Sequence, residues 1–156
     1  MSITFRNAKI CDAKAISELI LPLAKKYVCP TCDPSVHDVL LKSMSEEKVE
    51  HYLSTNYDYV VAVTVNDEVI GVAGIRDNSH LYHLFVNDRF QGHGLSRQLW
   101  EVVKENALNN GNKGIFTVNS AINAECVYLR FGFKRTKGIR NRQGMIDVPM
   151  MLEASC

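Results

Sequence analysis

The chain has 156 residues, 46% of them apolar and 22% charged, with nine glycines and four prolines. That length and composition fit one domain with a real core and exclude disorder or a collagen-like repeat. Eighteen basic side chains against seventeen acidic ones leave a formal charge of +1, which argues against a general binder of nucleic acid or membrane surface.

No apolar run reaches the roughly 20 residues a membrane-spanning helix requires. The start, Met1-Ser2-Ile3-Thr4, lacks a basic segment ahead of an apolar stretch, so a cytoplasmic protein is expected. No repeat or linker interrupts the chain, and residues 1–156 read as one domain. Ile3 to Arg6 is a short strand. Asp12 is placed to cap a helix whose apolar positions Ile16, Leu19, Ile20, Leu23, Ala24 and Tyr27 recur every three or four residues. Cys29 to Pro34, with two prolines, ends it. Ser35 to about Ser54 is helical in two pieces, and a Ser43-x-x-Glu46 capping box restarts the second.

The period then changes to that of strands. Tyr59 to Val65, Glu68 to Arg76 and His80 to Val86 form a meander separated by Asn66-Asp67 and Asp77-Asn78-Ser79. A helix follows from about Leu95 to Asn109 and stops at Asn110-Gly111. Gly114 to Val118 is a strand, Asn123 to Phe131 a short helix, and Phe133 to about Ile139 a strand that turns at Asn141 to Gly144 into Met145 to Leu152. The order predicts a mixed α/β sheet with one parallel crossover through the helix near Leu95.

Five cysteines without an export signal are read as free thiols. Cys29-Pro30-Thr31-Cys32 has the spacing of zinc and redox sites, but a structural zinc takes four ligands and only His37 and His51 stand nearby. A thioredoxin-like pair opens a helix directly after a strand, whereas this one follows a helix. Two loop thiols are the expectation, with metal binding and redox chemistry as alternatives, and no metal is assigned.

The segment richest in chemistry is Arg89-Phe90-Gln91-Gly92-His93-Gly94-Leu95-Ser96. Two glycines between a strand and a helix permit positive φ and close backbone approach to a ligand. The free N–H groups and dipole of the helix start then favour an anion, best a phosphate or pyrophosphate. A Walker loop does not occur, and Ser96 and Arg97 stand where a dinucleotide fingerprint needs its third glycine. A plain tight turn is the bland alternative.

With Gln91-Gly92-His93-Gly94-Leu95-Ser96 the chain resembles the GNAT superfamily of acetyl-CoA-dependent N-acetyltransferases, whose signature is Q/R-x-x-G-x-G/A. Ser96 is a small-for-small departure. Leu84 to Phe90 resembles the end of that family's fourth strand. A second hallmark, Asn then Tyr on a short helix before Gly-Phe, matches Asn123 to Phe133, with Tyr128 as the tyrosine and Gly132-Phe133 as the ending. The two lie about 30 residues apart, in the family's element order, and the likeness covers nearly the whole chain.

The resemblance implies an α/β (α+β) fold: a mixed, mostly antiparallel sheet, about four flanking helices, and strands four and five splayed to hold acetyl-CoA. Leu84, Phe85 and Val86 would line the pantetheine arm, with backbone groups of Leu84 and Val86 bonding it. Gln91, Gly92, His93, Gly94, Leu95 and Ser96 would hold the pyrophosphate, within reach of Arg97 and Arg89. Asn123 would bond the cofactor arm, and Tyr128 would serve the leaving thiolate. The fourth strand has no carboxylate for a base, so His80 and His83 are the candidates, on opposite faces by strict alternation unless a bulge intervenes. The acceptor, a primary amine of a small molecule or peptide, would meet the first two helices and the last hairpin. That region has no dense acidic patch. A homodimer is possible. Two other readings remain: a non-catalytic acyl-CoA-binding module on the same fold, and a zinc-dependent interaction protein built on Cys29 and Cys32.

Overall fold

The computed structural model describes residues 2–154; Met1 and Cys156 lie outside them. Along the valine-rich strand β2 (Tyr57–Val63), Val60 and Ala62 enter one core while Tyr59, Val61 and Val63 enter another. That is the period-two sorting of a strand buried on both faces. With β1 (Thr4–Asn7), β3 (Val69–Arg76) and β4 (His80–Val86), it makes an antiparallel block in sequence order. Strand β5 (Ile115–Ser120) joins the block, followed by β8 (Met145–Glu153), which pairs β6 (Lys134–Arg135) and β7 (Arg140–Arg142). Among these pairs only β4 with β5 is parallel, so the single crossover is as predicted.

Helices α1 (Ala13–Leu23), α2 (His37–Lys42) and α3 (Glu46–Leu53) cover one face. Helices α4 (Leu95–Asn109) and α5 (Glu125–Phe131) cover the other, where Leu99, Trp100, Phe116 and Phe133 are fully buried. Packing of α4 is close: a Cβ at Gly71 would stand 2.9 Å from Leu99 Cδ1.

Three local expectations are corrected. Asp12 is itself helical and caps nothing in α1. Its carboxylate instead accepts from the Lys9 N–H (2.7 Å) and from Arg6 (2.8 and 3.0 Å), tying β1 to the start of α1. Ser45, extended at ψ 159, caps α3 by accepting from the Lys48 N–H; Ser43 still has helical backbone and its hydroxyl turns back to the Leu40 carbonyl. Pro22 lies inside α1, and the helix runs on through a π turn at Ala24–Val28, which carries it to Tyr27 as the apolar spacing predicts. Finally, the expected strand from Phe133 to Ile139 is split. Pro149 accepts from the Thr136 N–H at 3.0 Å but has no N–H to return, so the ladder ends there and resumes at Arg140.

Candidate active site

Strands β4 and β5 pair only at His80–Thr117 and Leu81–Val118, then separate. The cause is a bulge in β4. Gly74 faces His83 and Ile75 faces Leu81, which leaves Tyr82 unpaired, and such an extra residue bends its strand. It also resets the facing of side chains. Tyr82 and His83 fall on the same side, ring centroids 4.3 Å apart, while Leu81, Leu84 and Val86 share the α4 side.

The opened strands bound a cleft of about 630 Å³. Leu84, Phe85 and Val86 line one wall; Asn119, Ala121 and Tyr128 line the other. The Asn87 N–H bonds the Ile70 carbonyl, so alternation turns the polar backbone groups of Val86 and Leu84 away from β3, toward the gap. The Val86 carbonyl there accepts from Gln91 Nε2 at 3.1 Å. An extended amide-bearing chain could add to this edge as a strand does.

At the mouth, Gly92 and Gly94 have φ of +83 and +76, conformations that favour glycine. No atom lies within 4 Å of where a Cβ would stand at either, so the glycines serve conformation and access, not packing. Gly94 precedes α4 without a side-chain cap, and the first intrahelical bond is Gln98 N–H to the Gly94 carbonyl. The N–H groups of Leu95, Ser96 and Arg97 therefore have no helical acceptor, and they sit at the positive end of a 15-residue helix dipole. Gln91 and Ser96 line the cleft; Gly92, His93, Gly94 and Leu95 form its exposed rim or the buried root of α4. Arg97 points elsewhere in this structure. It bonds the Arg130 carbonyl (3.0 Å) and lies over the Phe131 ring, fastening α4 to α5. Arg89 pairs loosely with Glu68 at 3.4 Å.

Asn123 lines the cleft but does not cap α5, whose N-cap is Ala124. Its side chain donates to the Tyr27 carbonyl of the π turn (2.8 Å). The Tyr27 hydroxyl and Lys26 in turn bond Asp88 at 2.6 and 2.7 Å. The π turn is thus fastened to both walls. Tyr128 lines the cleft and packs edge-on against Phe131 and Phe133. Burial pushes its phenol up to about 12, so it stays protonated and available as a donor.

The two histidines part company. His80 does not line the cleft; its Nδ1 meets Thr117 Oγ1 at 2.7 Å where β4 and β5 still pair. His83 is buried and lines the cleft, with Nδ1 2.8 Å from the Tyr59 hydroxyl. Two tautomers serve this contact: the Tyr59 O–H donates to a bare Nδ1 and leaves the ring proton on Nε2, or Nδ1–H donates to the Tyr59 oxygen and leaves Nε2 with its lone pair. Gly74 makes this contact feasible: a Cβ there would run into the Tyr59 ring. Of the two histidines expected as base, His83 stands in the cleft and His80 outside it.

Burial lowers the His80 pKa from 6.5 to about 4 and that of His83 to about 3. Both are neutral when folded, while an unfolded chain would protonate them below about pH 6.5. Stability is then complete above that value and falls as pH drops toward about 4. Thermal melts should show a lower Tm at about pH 5 than at about pH 7, and His83→Gln should flatten the slope. A Tm indifferent to pH over this range contradicts neutral burial.

Cys29 and Cys32 are buried free thiols, and burial raises the Cys29 pKa. Among the described residues no three His, Cys, Asp or Glu side chains gather as a metal site. His37 Nε2 is taken up with the Cys32 carbonyl. Cys32 and Tyr27, both in the region expected to meet the acceptor, line the cleft; Asp33 and His37 do not. Asp147, which sequence reading passed over, does line it, held by Arg140 and Arg142.

This architecture is shared with solved acetyltransferase structures. A GCN5-related N-acetyltransferase from Rhodopseudomonas palustris superposes with a TM-score of 0.82 at 16% identity, over 99% of this chain and 97% of its own. The PaiA N-acetyltransferase of Thermoplasma acidophilum, solved with coenzyme A, gives 0.80 at 16% identity over 98% and 99%. YncA of Salmonella typhimurium, solved with acetyl-CoA, gives 0.69 at 21% identity over 100% and 96%. No curated protein matches the chain in sequence. The sequence model of the "Acetyltransferase (GNAT) domain" matches residues 27–154, and the chain belongs to the GNAT acetyltransferase family. No described helix is long and apolar enough to cross a membrane.

Proposed function

We propose that the protein transfers the acetyl group of acetyl-CoA directly to a primary amine. The observation that carries this reading is the opened β4–β5 edge ending in the uncapped, glycine-led start of α4. It suits a ligand with an extended amide arm and a pyrophosphate. Leu84 and Val86 offer backbone groups to the arm, the Leu95, Ser96 and Arg97 amides hold the pyrophosphate, and Asn123 exchanges Tyr27 for the cofactor.

The amine nitrogen attacks the thioester carbonyl carbon, the C–S bond breaks, and the thiolate leaves with the electron pair. Tyr128, a phenol at about 12, does not fully protonate a thiolate whose acid form titrates near about 8.5. It stabilises the departing sulfur by donating a hydrogen bond. In the tautomer whose Nδ1 accepts from Tyr59, His83 has an Nε2–H to donate to the reacting carbonyl oxygen as negative charge develops there. The amine's proton passes to solvent. An ammonium entering an apolar site is itself pushed toward the neutral, nucleophilic form.

This chemistry predicts a pH profile. Below the pKa of the amine, kcat/KM should rise about tenfold per pH unit, without a break near pH 6.5. A profile flat from about pH 5 upward would instead indicate that a histidine of lowered pKa takes the proton from the bound ammonium. The direct assay is thiol release from acetyl-CoA with an amine panel, coupled to mass analysis of the product. Acetylated amine in step with thiol supports transfer; tight acetyl-CoA binding with no product from any amine favours the non-catalytic module.

A further inference from the structure

Besides β4 and β5, the cleft is lined by α1, the π turn, α2 and the β7–β8 hairpin. Leu23, Val28, Leu40, Met44, Met145 and Ile146 line it. Tyr82 and Phe85 line it from β4. An amine held here has its nitrogen near His83 and the rest of its body among these side chains.

Charge decides what that body is. Asp147 is the one carboxylate among the described lining residues. It is buried, and both its oxygens are occupied: Oδ1 by Arg140 Nε at 2.8 Å and Oδ2 by Arg142 Nη2 at 2.6 Å. Two guanidinium groups against one carboxylate leave this corner positive. Asp88, at the mouth, is likewise paired with Lys26 and bonded to Tyr27. A second ammonium on the acceptor would lose its hydration and meet no free counter-charge. An apolar body loses nothing and buries its surface.

We propose that the acceptor is a primary amine carried on one compact apolar body, alkyl or aryl, with no second charged group. This rests on the acetyltransfer reading and deepens it. Surroundings that accept an apolar body also favour the free amine over its ammonium form.

The test has two stages that fail separately. Acetyl-CoA is first titrated into the protein by calorimetry, which checks the cofactor reading alone. The protein saturated with CoA is then titrated with hexylamine, 2-phenylethylamine, putrescine, spermidine, lysine and kanamycin, and the same amines are run in the thiol-release assay. Hexylamine or 2-phenylethylamine should bind, and should exceed putrescine in kcat/KM by at least about tenfold. Preference for a diamine, an aminoglycoside or lysine overturns the proposal while leaving acetyltransfer intact. Failure of both apolar amines to bind the CoA-loaded protein overturns it too. Two variants sharpen the outcome. Arg142→Ala, at a half-exposed position, releases one Asp147 oxygen and should raise the putrescine to 2-phenylethylamine ratio about tenfold. Leu40→Asp, on half-buried α2, should move the ratio the same way. Ratios unchanged in both variants contradict the charge argument.

Discussion

Replacing Gly94 by valine should weaken acetyl-CoA binding by about a hundredfold, the equivalent of about 2.7 kcal/mol, with little loss of fold stability. Gly94 has φ +76, a region that a β-branched residue enters only under strain. The chain relieves that strain by rotating the peptide that leads into α4, which takes the Leu95 and Ser96 amides off the phosphate position. The new side chain also projects into space where no protein atom lies within 4 Å, so it obstructs a ligand without disturbing a core. Calorimetry on the variant beside the parent, with melts to confirm folding, reads both effects. Unchanged affinity would mean that the loop is a turn and the pyrophosphate lies elsewhere.

The second large effect is on turnover. Tyr128→Phe should lower kcat by roughly ten- to a thousandfold while the dissociation constant for acetyl-CoA changes little. The ring's packing against Phe131 and Phe133 is kept in phenylalanine; only the hydroxyl facing the cleft is lost. An interaction made with the leaving thiolate is absent in the ground state, so kcat falls and binding does not. Equal loss of kcat and affinity would assign the hydroxyl to cofactor binding. No loss in either removes it from the mechanism.

Elements with a strong period were legible from residues alone. β4 at His80–Val86 and α4 at Leu95–Asn109 have the expected boundaries, because one is bracketed by turn residues and the other by glycines. The glycine loop also stood out, since its backbone conformation favours glycine, whereas Asn123 and Tyr128 were singled out by the family resemblance. What escaped was contact made across strands. Alternation along His80 to Val86 carries no mark of the bulge at Tyr82, so the shared side of Tyr82 and His83 was invisible. The Tyr59–His83 bond joins residues 24 positions apart. Its one trace was Gly74, an isolated glycine inside a strand, where close approach of another group is a standing reason for the residue. Ser45 rather than Ser43 caps α3 because the helix break sits two residues later than the capping-box pattern suggests. The Asp147 clamp needed the hairpin register, Arg140 opposite Asp147, to be seen.

The proposed function requires the β4–β5 opening and the start of α4 to form an acetyl-CoA site. Calorimetric titration with acetyl-CoA, beside CoA and adenosine diphosphate, tests it most directly. Roughly micromolar binding of both CoA species, with adenosine diphosphate weaker because it lacks the arm that adds to β4, is the predicted result. Absence of binding by any of the three at millimolar concentration would contradict it.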